Sequence, residues 1–183
     1  PSGDGTYAFT WTLTSDSTDD IPANNELVGE SFEVGGFIYQ RDMGTMDNSF
    51  NRGEDAHKIG NTFDCYTNEM VYSIDVVVGA GTDAGATIIA KLFEITYNQG
   101  AAPTYTELAS SIEYTVTSSD VTSNALKTLH LTTPYELQAG VAYEAVVETY
   151  GGTGAAFAVA TAGTSRPGTS HLYLEDDATW YYI

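Results

Sequence analysis

Three histidines, one cysteine and 25 acidic side chains are the first places to look for acid–base or metal chemistry in this 183-residue chain. His57, His130 and His171 stand at no metal-ligand spacing, and neither His-x-x-x-His nor Cys-x-x-Cys occurs. His130 alternates with Leu129 and Leu131, which predicts that it faces solvent or a polar pocket. Cys65 is alone, so an internal disulfide is excluded. It lies in a strand pattern with no basic neighbour in sequence to lower its pKa, and it reads as a buried, inert thiol. Gly-x-Ser-x-Gly, the P-loop and the paired-glycine nucleotide fingerprint are absent. Asp19-Asp20 and Asp176-Asp177 are adjacent in turns, where turn chemistry accounts for them. A glycosidase pair would have to come from distant strands, which spacing does not test. No catalytic residue is assigned.

Two constellations remain. Calcium takes six to eight oxygens from carboxylates, amides and carbonyls. The polar stretch from Asp42 to Asp55 offers Asp42, Asp47, Asn48, Glu54 and Asp55 as ligands. EF-hand spacing is absent there, and an acidic solvated loop is the competing reading. The second constellation is Trp180-Tyr181-Tyr182, where rings in a row are candidates to stack on sugars. Rings alternating in a strand also serve core and cross-strand packing.

Strands must position these groups. Ile59–Tyr66, Met70–Val78 and Thr87–Ile95 follow one another with period-two patterning, and Gly79–Gly85 supplies turn material between the last two. Thr6–Leu13 alternates cleanly, with Tyr7, Phe9, Trp11 and Leu13 on one face. Ser15–Asn25 is a polar loop, and Ser31–Val34 is a second strand ending at Gly35-Gly36. A boundary falls there, dividing residues 1–35 from a domain over 36–183. Phe37–Tyr39 begins a strand, and Arg41–Asp55 reads as one long loop. Tyr105–Val116 is a strand bulged around Ser110-Ser111. Ser118–Ala125 has room for one helical turn, Lys127–Leu131 is a short strand, and Pro134–Gly140 is a turn. Ala142–Tyr150 sets Tyr143, Ala145, Val147 and Thr149 opposite Glu144, Val146, Glu148 and Tyr150. Ala155–Ala160, Ser170–Leu174 and Trp180–Ile183 complete the set. Many short strands at close intervals predict an all-β sandwich with negligible helix.

Charge narrows the partners. Against 6 basic residues the acidic ones leave a net charge of −19. Such a surface repels phosphate backbones and anionic membranes, so nucleic acid is not an expected partner. No apolar run approaches the roughly 18 residues of a membrane span, and membrane insertion is not expected.

Short motifs run along the chain: Asp20-Ile-Pro-Ala-Asn-Asn25, Ser31-Phe-Glu-Val34, Tyr39-Gln-Arg-Asp42, Ile59-Gly-Asn-Thr-Phe63 and Ala90-Lys-Leu-Phe93. Together they resemble a module of large secreted and surface proteins that use the type IX secretion pathway. Ala158–Ser165 and Thr179–Tyr182 are similar to its late strands. The likeness implies that Asp20–Val34 closes an immunoglobulin-like adhesion domain and that a jelly-roll-type antiparallel sandwich follows. It implies secretion or cell-surface location and brings no catalytic residues.

The resulting expectation is a non-enzymatic extracellular module with an adhesion or structural role. The alternative is a carbohydrate-binding module attached to a secreted enzyme. Expected partners are neighbouring modules of one long protein, identical subunits, or glycans; calcium is the candidate cofactor. The chain stops in a strand pattern, which suggests a piece of something longer. The stripe Tyr7, Phe9, Trp11 and Leu13 either packs within its own chain or adds as a strand to the open edge of a neighbouring subunit, a head-to-tail contact that would build filaments.

Overall fold

β-Branched and aromatic residues at period two make thirteen strands here, with one short helix among the described residues. The computed structural model describes residues 5–14, 16, 18, 21, 25–34, 38–41, 45–163 and 167–183. The chain divides into two units, Pro1–Gln40 and Arg41–Ile183.

The first unit is a two-stranded antiparallel ribbon of β1 (Gly5–Thr12) and β2 (Glu26–Val34). Tyr7 pairs with Phe32 and Trp11 with Leu27, and the register slips between Ala8 and Thr10, opposite Gly29 and Glu30. β2 therefore begins earlier than the Ser31 expected from patterning, because β1 offers it a ladder across the bulge. Gly35, Gly36 and Phe37 lie outside the described residues, and Ile38–Gln40 are not strand.

The second unit holds β3 (Asn48–Asn51), β4 (His57–Asp64), β5 (Glu69–Val77), β6 (Thr87–Thr96) and β7 (Thr104–Ser110). β8 (Tyr114–Thr115), α1 (Ser118–Ser123), β9 (Leu126–Leu137) and β10 (Ala142–Thr149) come next. β11 (Ala158–Thr161), β12 (Ser170–Leu174) and β13 (Thr179–Tyr182) follow. One antiparallel sheet runs β13-β12-β4-β10-β6-β7, with β8 also on β6. Opposite it lie the pairs β5-β9 and β11-β3, linked by a bridge between Val78 and Val159. Val76, Val78, Leu129 and Phe157 meet Ile88, Ala90 and Val147 between the layers, so the all-β sandwich is real. A second cluster of Cys65, Leu92, Leu137 and Tyr143 extends the core, and the buried Sγ of Cys65 donates to the carbonyl of Thr67 at 2.8 Å.

Three features depart from the patterning. The stretch 41–55 contains β3, which Asn-Ser-Phe-Asn hardly signals; it forms because β11 pairs with it from Asn51–Ala158 to Asn48–Thr161. Pro134 lies inside β9, not in a turn. Between Val71 and Ser73 the register on β9 jumps from Tyr135 to His130, so Pro134 sits in a bulge where its missing N–H costs no ladder bond. Residues 105–116 are not one strand bulged at Ser110-Ser111: the register on β6 shifts between Ala109 and Glu107, β7 ends at Ser110, and the Ser111 hydroxyl accepts from the Ala90 N–H at 3.0 Å before β8 begins at Tyr114.

The expected helical turn is α1. Thr117 and Asp120 form a reciprocal capping box, and Asn124 ends the helix in the left-handed conformation at φ 45°. Asp120 also accepts from Tyr114 Oη at 2.6 Å and pairs with Lys127 at 2.5 Å. Burial works to raise its pKa, but these donors outweigh it and hold the carboxyl well below its ordinary value.

Candidate functional site

The strand β10 presents Tyr143 and Val147 to the core and Glu144, Val146 and Glu148 to the other side of its sheet. That other side is not solvated. Glu144 and Val146 are each 0% exposed, and Phe93 and Ile95 are buried beside them. Cross-strand register assigns the neighbours: Thr62 and Phe93 flank Glu144, Gly60 and Lys91 flank Val146, and Lys58 and Ile89 flank Glu148.

The rings of the two edge strands explain the burial. Trp180 on β13 stacks on Tyr105 on β7, with centroids 4.3 Å apart and planes at 21°. Six strands laid flat would set the outermost strands about 24 Å apart. Two side chains do not span that, so the sheet curls until its edges meet over this face. Trp180 also touches Phe93 edge-on at 6.0 Å and Tyr173 at 5.1 Å. Gly60 permits the close approach of β4 and β10: a Cβ there would stand 2.0 Å from the Ala145 carbonyl oxygen.

Inside the curl the charged groups form two clusters. At one end Lys91 Nζ lies 2.6 Å from Glu148 and 3.1 Å from Glu107, while Lys58 lies 3.6 Å from Glu148 and contacts Glu175. Lys58 also sits over the Tyr173 ring at 4.2 Å. Burial tends to lower the Lys91 pKa, but the hydrogen bonds and charges of Glu148 and Glu107 prevail and raise it. At the other end Glu144 Oε2 accepts from Thr62 Oγ1 at 2.6 Å and lies 2.9 Å from His171 Nδ1. His171 is 2% exposed, its ring edge-on to Tyr182 at 4.7 Å and to Tyr105 at 6.1 Å. Glu144 Oε1 and His171 Nε2 are buried without a hydrogen-bond partner among the described residues. Burial first, then the charge of Glu144 and the neighbouring tyrosines, push the Tyr105 hydroxyl well above its ordinary value.

An open groove of about 580 Å³ begins where this face ends, lined by Asp64, Tyr66, Ile95, Tyr97 and Ala142 among others.

The residues singled out by type and spacing fall in different places. Of the three aromatic neighbours, Trp180 and Tyr182 pair with Tyr173 and His171 on the inner face, while Tyr181 pairs with Leu172 and points the other way. The Tyr181 hydroxyl donates to Asp177. Trp180 is walled in by rings; Tyr182 is 63% exposed. Of the calcium candidates, Asp42 lies outside the described residues. Glu54 accepts from the Gly154 N–H at 2.6 Å, Asp55 pairs with Arg52 at 3.4 Å, and Asn48 accepts from the Ser49 N–H. Asp47 accompanies them exposed beside β3. Among the described residues no three His, Cys, Asp or Glu side chains gather to hold a metal ion. In the ribbon unit Tyr7 is half-buried, while Trp11 and Leu13 are exposed; the side chain of Phe9 lies outside the described set. His130 is exposed, as its alternation predicted.

Patterning missed the Glu144–His171–Thr62 cluster, because its members lie 82 and 109 residues apart in pairs. Comparisons with protein-family models, curated proteins and solved structures found no match for this chain.

Proposed function

We propose that this chain is a non-catalytic module of a secreted or cell-surface protein, with an adhesion or structural role. The supporting observation is how the sandwich uses its reactive side chains. Lys58, Lys91, Glu107 and Glu148 are bonded to one another, and Trp180 is enclosed by rings, so these groups stiffen the curled sheet. The acidic surface, at net −19, keeps such a module soluble and apart from phosphate polymers. The type IX resemblance gives the setting of this reading.

The test couples the protein to beads and measures retention on surfaces bearing the same protein or a panel of glycans, alongside a hydrolase substrate screen. Retention without turnover supports the proposal. Glycan-specific retention lost in Tyr182→Ala, which leaves Trp180 in place, would move the reading to a carbohydrate-binding module. Turnover abolished by Glu144→Gln would overturn the non-catalytic reading.

A further inference from the structure

We propose that the open end of the curled sheet binds a ligand bearing a protonated amine, an ammonium or guanidinium group with N–H to donate, and that Glu144 is its inner anchor. The inference goes beyond the adhesive or structural reading and rests on separate observations.

The first is the orphaned carboxylate oxygen. Glu144 is 0% exposed, yet among the described residues only Oε2 is hydrogen-bonded. A buried acceptor left unmade carries the full desolvation penalty of its group, larger when charged, so a donor brought by a ligand would bind favourably there. Thr62 and His171 take Oε2 from the β4 side of β10. Tyr105, paired with Ile95 on the β6 side, brings its hydroxyl to 3.4 Å from His171 Nδ1, and neither group takes Oε1.

The second is an approach. Asp64 and Ile95 flank Ala142 in the register rung next along from Thr62, Glu144 and Phe93 on the same face. Asp64, Ala142 and Ile95 also line the groove of about 580 Å³. The groove thus ends one register rung short of Glu144, on the same face of β10.

The third is charge and ring placement. Neither Asp64 nor Glu144 forms an ion pair with a lysine or arginine among the described residues, and Arg41 is bonded to the Thr62 carbonyl. Tyr97 at the mouth is 63% exposed. Burial, then the charge of Asp64, raises the pKa of its hydroxyl, and the Tyr182 hydroxyl and Glu144 act in the same direction. Carboxylates beside ring faces suit an organic cation. A quaternary ammonium has no N–H for Oε1. A bare metal ion would want more carboxylate and imidazole ligands than converge here. A neutral sugar donates hydroxyls but leaves the negative field unused.

Cadaverine is the probe. Trp180, stacked on Tyr105, reports by fluorescence in the full chain carrying Trp11→Phe to silence the other tryptophan. The expected result is a saturable change with a Kd of roughly 0.1–10 mM for so few atoms. It weakens severalfold at about 0.5 M salt. Glu144→Gln should weaken it by roughly tenfold or more, as loss of a buried charge pair does. Asp64→Asn, at an exposed position, should weaken it about threefold and carries the test if the Glu144 variant fails to fold. N-acetyl-lysine amide identifies the source: equal binding means a lysine side chain of a polypeptide is accepted, and its failure means a free diamine is required. The proposal is overturned if folded protein shows no saturation with cadaverine. It is also overturned if tetramethylammonium binds as well, or if methyl glucoside gives a salt-independent response instead. None of these outcomes bears on retention at surfaces, so the two readings fail separately.

Discussion

Glu144 and Glu148 sit four residues apart on one strand, on one face, and both are buried, yet their surroundings differ in kind. Glu148 is gripped by two lysines: Lys58, covered by Tyr173 and tied to Glu175, and Lys91, tied to Glu107. Glu144 has a hydroxyl and an imidazole on one oxygen and, among the described residues, no hydrogen-bond partner on the other. A buried carboxylate compensated by fixed cations belongs to the scaffold. One compensated on a single side is a place where something can still be added. The two ends of one sheet face therefore separate a structural use of charge from a receptive one.

Between them lies the Gly60–Val146 rung, and breaking it removes both ends at once. A Cβ at position 60 would stand 2.0 Å from backbone oxygen and 2.7 Å from the Cα of Val146. Gly60→Ala is expected to cost more than about 4 kcal/mol, among the largest single-substitution losses. Circular dichroism melting and soluble yield check it, and a variant melting within a few degrees of the parent would contradict the close approach.

The comparison itself is sharpened by paired substitutions. Glu148→Gln leaves Lys58 and Lys91, both of low exposure, with only the exposed carboxylates Glu175 and Glu107, and a loss of about 3 kcal/mol is expected. Glu144→Gln keeps an oxygen for Thr62 and His171, so a loss of about 1 kcal/mol is expected. Urea unfolding of the two variants decides; equal losses would erase the distinction.

The smallest effect comes from the reverse side of β4. His57 is fully buried, with Nδ1 2.9 Å from the Asp55 carbonyl. Burial lowers its pKa below the ordinary 6.5, with the charge of Arg52 acting the same way and Asp55 opposing. The unfolded chain thus takes up the proton first. Stability from this group is complete above pH 6.5 and declines as pH falls below it, by no more than about 1.4 kcal/mol per pH unit. Unfolding midpoints from pH 8 to 5, compared with His57→Gln, test it: the parent should lose the advantage that the variant never had.

Much of the sandwich was legible because the core face of each strand repeats at period two, as Tyr143 and Val147 show. The alternation even set Glu144 and Glu148 on one face. It did not reveal that this face is buried, because glutamates at alternate positions read as a solvent face until Trp180 and Tyr105 close over them. Val146 between the two glutamates was the local sign. The meeting of Glu144 with His171 needs the order β12-β4-β10, a long-range choice that residue spacing does not encode. β3 escaped for a related reason: Asn48–Asn51 has one ring and no β-branched residue, and becomes a strand only through β11.

The stack of Trp180 on Tyr105 also bears on aggregation. Exposed sheet edges recruit foreign strands and seed edge-to-edge growth unless they are covered, charged or closed. Here the two outermost strands of the larger sheet are fastened to each other by their own rings. The clasp joins side chains and leaves the outer backbone groups of β13 and β7 as they are, but it bends both rims inward. It thereby denies an arriving strand the long flat edge on which edge-to-edge growth depends.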